Sequence, residues 1–219
     1  MKLLLENWRE YLNENSIKGT VEWTPEQLNT IVSYFAKGKA ATFTDEKVGH
    51  VSPRAFKKFD PSKTGANTAE GEHGKGKYNL DSYFGPMFGV DKDILLDPDH
   101  VKALGGKYLL TVNLSGKFLK MNITHLRYYF PQSVKNPNNP SQKIDTSGPM
   151  TKSIKKFKQI LIDNGFDGIW FHAPGLTNKA GKIALTSDAV SVFDPSKNAK
   201  ITSIRNLTTG KTEWEKEEK

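Results

Sequence analysis

The sequence predicts an α+β domain whose β core is split, mostly antiparallel and flanked by helices. Amphipathic helical spacing comes early and again in the middle of the chain, ahead of a C-terminal half rich in strand-like runs. Those runs end in a turn signal at Thr209-Gly210, and no internal repeat is visible. A chain of 219 residues is long enough to bury a substantial core in one domain with a modest extension. We read residues 1–18 as an N-terminal amphipathic helix with its connection, and residues 19–219 as a single domain.

Taken in order, residues 1–14 place Leu4, Leu5, Trp8, Tyr11 and Leu12 at helical spacing. Thr24-Pro25-Glu26-Gln27 then sets a capping residue, a proline at the first helical position and a glutamine where a capping box needs one. The helix is expected to run to Lys37 and stop at Gly38, with Leu28, Ile31, Val32 and Phe35 on its apolar face. Residues 40–52 alternate loosely and end in Ser52-Pro53, which reads as a strand holding His50 near its end. Residues 60–77 are almost wholly polar or glycine and form no core, so they read as a long surface loop.

Asp97-Pro98-Asp99 caps a short helix through Leu104, and residues 108–114 form an apolar strand. Ser115-Gly116 is read as a turn into a second strand over residues 117–122. Residues 131–148, rich in Asn, Pro, Ser and Gln, read as a loop or linker. The helix expected over residues 151–164 buries Ile154, Phe157, Ile160 and Leu161 and ends at Gly165. Buried strands follow over residues 166–172 and 189–193, then a closing strand or hairpin over residues 201–214.

The formal charge is +8, from 32 Lys and Arg against 24 Asp and Glu. Nucleic acid, acidic proteins and anionic cofactors are the partners this balance attracts. The chain has no cysteine, which excludes disulfides, thiolate zinc sites and cysteine nucleophiles. No stretch approaches the ~20 apolar residues a membrane span needs, and residues 1–5 are too short an apolar run for a signal peptide. A soluble, cytoplasmic protein without membrane partners is expected. His73, His100, His125 and His172 show no metal-ligand spacing, so no metal is expected.

Four motifs occur in a telling order: Gly49-His50-Val51-Ser52, then Phe56-Lys57-Lys58-Phe59-Asp60-Pro61, then a glycine-rich run ending in Tyr83-Phe84-Gly85, and later Gly165-Phe166-Asp167-Gly168-Ile169. This order resembles the ADP-ribosyltransferase-like superfamily over about residues 40–204. The resemblance implies a curved core that cradles NAD as a substrate, and a mono-ADP-ribosyltransferase that transfers ADP-ribose to a macromolecular acceptor. A protein acceptor comes first and a nucleic acid acceptor second.

Carried over residue by residue, the resemblance gives His50 a ribose contact, Val51 backbone contacts near the carboxamide, and Ser52 a further polar contact. Tyr78, Tyr83 and Phe84 are the candidates to stack on nicotinamide, Tyr83 first. Family members carry Glu, sometimes Gln, before a strand similar to Val190-Ser191-Val192-Phe193, whereas the nearest acidic residue here is Asp188. As the catalytic candidate, Asp188 would stabilise positive charge at the anomeric carbon, but a register slip of one residue would turn it away.

Each residue also has a plainer role: a backbone hydrogen bond for His50, core packing for the aromatics, a pre-strand turn for Asp188. Gly165-Phe166-Asp167-Gly168 is read as structural. A catalytically silent domain of the same fold is the first alternative. A basic nucleic-acid-binding protein is the second, using Lys57, Lys58, Lys75, Lys77, the lysines at 152, 155, 156 and 158, and Tyr128, Tyr129 and Phe130. The opening Met1 to Glu6 with its helix also looks like the N-terminal pieces of proteins packaged into phage heads, a resemblance that implies packaging in a virion and delivery into a host cell.

Overall fold

A computed structural model describes residues 22–36, 40–60, 84–90, 101, 106–122, 129–130, 133–136, 139–145, 147–172 and 188–216. The expected helix at residues 1–14, the loop after Asp60 and all but Val101 of the helix at 97–104 lie outside the described residues. The class is as expected, α+β with a mostly antiparallel seven-stranded sheet.

Helix α1 (Pro25–Ala36) begins where its capping box says it should. Thr24 N–H donates to Gln27 Oε1 at 2.9 Å and Gln27 N–H donates to Thr24 Oγ1 at 3.3 Å, so two orphan amides at the helix start are satisfied reciprocally. Strand β1 (Ala40–Ser52) follows, then β2 (Met87–Gly89) and the long β3 (Tyr108–Asn122).

Two readings change here. Ser115-Gly116 does not turn the chain back: β3 is one strand that bends there, with Gly116 at φ 149°. Residues 131–148 are not a linker either, since β4 (Ser133–Asn136) and β5 (Asn139–Asp145) pair as an antiparallel two-stranded sheet. Polar composition hid these strands, because backbone pairing needs no apolar side chains.

Helix α2 (Ser147–Asp163) starts a turn earlier than its apolar spacing indicates and ends on Gly165, whose φ of 74° is the left-handed cap expected of glycine. Strands β6 (Gly168–His172) and β7 (Ala189–Val192) lead to a short helix, α3 (Pro195–Asn198), capped by Asp194. The hairpin of β8 (Ala199–Asn206) and β9 (Thr212–Glu215) closes the chain, with Gly210 at φ 70° in its turn.

The pairings form a ring. β1 pairs with β2, β2 with β7, β7 with β6, β6 with β3, and β3 returns to β1. All are antiparallel except β3–β6. Along residues 108–114 the free edge of β3 is taken by β8 instead, and β9 follows β8, so a two-stranded wing leaves the ring at the bend.

Asp167 pins that bend. Its Oδ2 accepts from Lys117 N–H at 2.9 Å, its own N–H donates to Lys117 O at 2.8 Å, and its carbonyl accepts from Phe193 N–H. Gly168 next to it has no room for a side chain, because a Cβ would meet Ser191 O at 2.1 Å. Gly165-Phe166-Asp167-Gly168 is therefore structural, as read.

The sheet has a core on each face. Inside the ring, Val48, Phe88, Leu110, Val112, Phe118 and Val190 are fully buried. Outside it, α1 and α2 lay Leu28, Phe35, Ile154 and Phe157 against Leu119, Ile169 and Phe171. Trp23 joins the two helices to the chain near Tyr129, donating from Nε1 to Tyr129 O at 2.7 Å and from its backbone to Ser153 Oγ at 2.9 Å. Among the described residues no helix is long and apolar enough to cross a membrane.

Candidate functional site

His50 stands at the mouth of the ring, on the face shared by Val48 and Phe88. Its ring is packed edge-on or tilted against Phe56, Phe59 and Phe88, with centroids 6.3, 5.7 and 5.4 Å away. The Phe56-Lys57-Lys58-Phe59 motif is thus a turn that folds two phenyl rings over the imidazole. Nδ1 lies 2.8 Å from Met87 O. A carbonyl can only accept, so Nδ1 carries the proton and Nε2 presents a lone pair. The side chain is half-buried, and desolvation by the rings packed around it pushes the His50 pKa below its ordinary value, against the opposing effect of the Met87 hydrogen bond, so the neutral imidazole predominates at pH 7.

The backbone-satisfying role of His50 therefore holds for one nitrogen only. Ser52 is buried, and its Oγ accepts from Arg54 N–H at 3.2 Å, which shapes the turn after β1. Val51 pairs with Leu109 in the β1–β3 ladder, its side chain against Gly106.

Asp188 immediately precedes β7, and register decides where it faces. Gly49 pairs with Gly89, and Gly89 with Ala189. Val90 N–H donates to Asp188 O at 3.0 Å, so the ladder continues one residue beyond Ala189. Cross-strand neighbours share a face, which aligns Asp188, Val90 and Val48 in one row and Val190, Phe88 and His50 in the next. Asp188 and His50 therefore belong to the same face, two strands and one row apart. With strands about 4.8 Å apart and about 6.8 Å between alternate residues, their Cα atoms are roughly 12 Å apart.

The aromatic candidates divide. Tyr78 and Tyr83 lie outside the described residues. Phe84 is a correction: it is fully buried on the helix side of the sheet, its ring 6.2 and 6.3 Å from those of Phe157 and Phe171, and it offers no face for stacking. Tyr129 and Phe130 are likewise core residues rather than base-stacking platforms. Of the helix lysines, Lys156 and Lys152 pair with Glu22 at 2.6 and 3.9 Å. Lys158 lies over Phe193 at 5.3 Å, and burial lowers its pKa.

Lys57 and Lys58 do enter a cavity, of about 550 Å³, where Lys197, Lys200 and Lys216 join them. These three are more than 130 residues away in sequence, and no linear spacing announces the grouping. No group of His, Cys, Asp and Glu able to hold a metal occurs among the described residues. Comparison with protein-family models, curated proteins and solved structures yields no match for the chain.

Proposed function

We propose that the chain is a mono-ADP-ribosyltransferase that uses NAD as substrate and modifies a macromolecular acceptor, a protein before a nucleic acid. The observation that carries this reading is the common face of His50 and Asp188 on the β1–β2–β7 segment of the ring. Neutral Nε2 of His50 accepts a hydrogen bond from a ribose hydroxyl, and the carboxylate of Asp188 opposes the positive charge that grows at the anomeric carbon. The bond from that carbon to the nicotinamide nitrogen breaks with its electron pair going to nicotinamide. The acceptor's nucleophile then bonds to the carbon and gives up its proton. A separation of roughly 12 Å suits two groups that act on different parts of a nicotinamide riboside rather than on each other.

Phe56 and Phe59 pack edge-on against the half-buried ring of His50. That packing favours the second reading, a catalytically silent domain in which His50 is a packing residue. Nicotinamide release from NAD, measured with the wild type, His50→Ala and Asp188→Ala, separates the two. Enzymatic function requires release that both substitutions abolish. Absence of release and of NAD binding by the wild type leaves the silent domain.

A further inference from the structure

The lysine-lined cavity lies between the turn after β1, the bend of β3, α3 and the β8–β9 wing, away from the imidazole of His50. Lys57, Lys58, Lys197, Lys200 and Lys216 converge there against one carboxylate among the described residues, Asp45. Lys197 is 3.6 Å from Asp167. The other four lysines have no ion pair among the described residues. Lys200 and Lys216 lie side by side, and the contact with Lys200, followed by its like charge, holds the Lys216 pKa below its ordinary value.

Folding alone gives no reason to bring several ammoniums together, since like charges repel. The other walls fit a ligand that is more than a bare anion. Lys57 Nζ sits 5.1 Å from the centre of the Trp214 ring, and Trp214 also lines the cavity. Ser115, Ser196 and Asn198 add polar side chains to the lining. Phosphate groups suit the ammoniums, and a base or sugar suits the indole and the polar side chains beside them. The cavity is open to solvent, as a site for a charged, partly solvated phosphate can be.

We infer that this cavity is a binding site for nucleotide phosphates, supplied by a free nucleotide or by a single-stranded nucleic acid. The site is independent of NAD cleavage, and the probes are ADP, measured by calorimetry, and a fluorescein-labelled single-stranded oligonucleotide, measured by anisotropy. Lys200→Gln with Lys216→Gln should weaken the bound probe by about tenfold, and for the strand should reduce the salt slope by about 1.4, two lysine contacts' worth. Lys143→Gln with Lys155→Gln removes the same charge from exposed positions outside the cavity and should change affinity by less than about twofold. Asp188→Ala, on the far side of β2 from His50 and outside the cavity lining, should leave binding intact, which separates this site from the proposed NAD site.

Binding of ADP alone assigns a free nucleotide, and binding of the strand assigns nucleic acid. Equal losses in the two double variants would show only the overall field of a basic protein and overturn the inference. So would binding of neither probe, or competition by polyglutamate as effective as that by ADP or the strand.

Discussion

Acidification tests the environment of His50 directly. In the unfolded chain the imidazole titrates near its ordinary value of about 6.5. In the fold its pKa is lower, because protonation would place a charge and a new Nε2–H donor beside Phe56, Phe59 and Phe88. Between the two values the unfolded state binds more protons than the folded state, so stability rises with pH. The contribution is complete above about pH 6.5 and is lost as pH falls, at up to about 1.4 kcal/mol per pH unit, until the folded pKa is passed.

His50→Gln keeps an N–H able to reach Met87 O and removes the titration. Urea unfolding of both proteins at several pH values between about 7.5 and 5 should show the wild type losing stability faster as pH falls. The lowered carboxylates do not interfere: Glu22, Glu26 and Asp194 lose their contribution only as pH falls below ordinary values of 4.5, 4.5 and 3.8. Parallel stability curves for the two proteins would refute the half-buried, neutral His50 described above.

Three substitutions test the fold that positions the site. Gly168→Ala puts a Cβ 2.1 Å from Ser191 O and 3.0 Å from the Phe118 ring, and should cost about 1–3 kcal/mol in urea unfolding as β6 and β7 are forced apart. Thr24→Ala removes one half of the capping box and should cost about 1 kcal/mol, read as a lower midpoint with an unchanged urea dependence. Phe157→Ala, in the core shared by α2, Phe84 and Phe130, should cost about 3–5 kcal/mol and lower the thermal midpoint without altering the pH dependence assigned to His50.

Local signals were legible where local chemistry decides the outcome. Thr24 and Gln27 start α1, Gly165 ends α2, Gly210 turns the last hairpin, and the strand carrying His50 follows from its alternation. Signals failed where a distant partner decides. Gly116 reads as a turn in isolation, yet Asp167, fifty-one residues on, holds it in a bend within a continuous strand. Phe84 carries the same aromatic character whether it faces a ligand or a core, and only the position of α2 settles which. The relation of Asp188 to His50 needed two strand registers, and the lysine cavity needed the path of β8 and β9; neither is written in any one segment.

The double use of β3 bears on how the chain can fold. Its first half needs β1 on one side and β8 on the other, and its second half needs β6. During synthesis the β1–β3 ribbon is complete by residue 122, yet the strands that cover its other edge span residues 168–172 and 199–206. Until those emerge, an apolar strand with unpaired amides and carbonyls stays open to other chains. Contacts so distant in sequence make assembly slow. A chain halted before residue 199 keeps every residue of the ring but exposes the edge from which β8 and β9 branch, and aggregation is its expected fate.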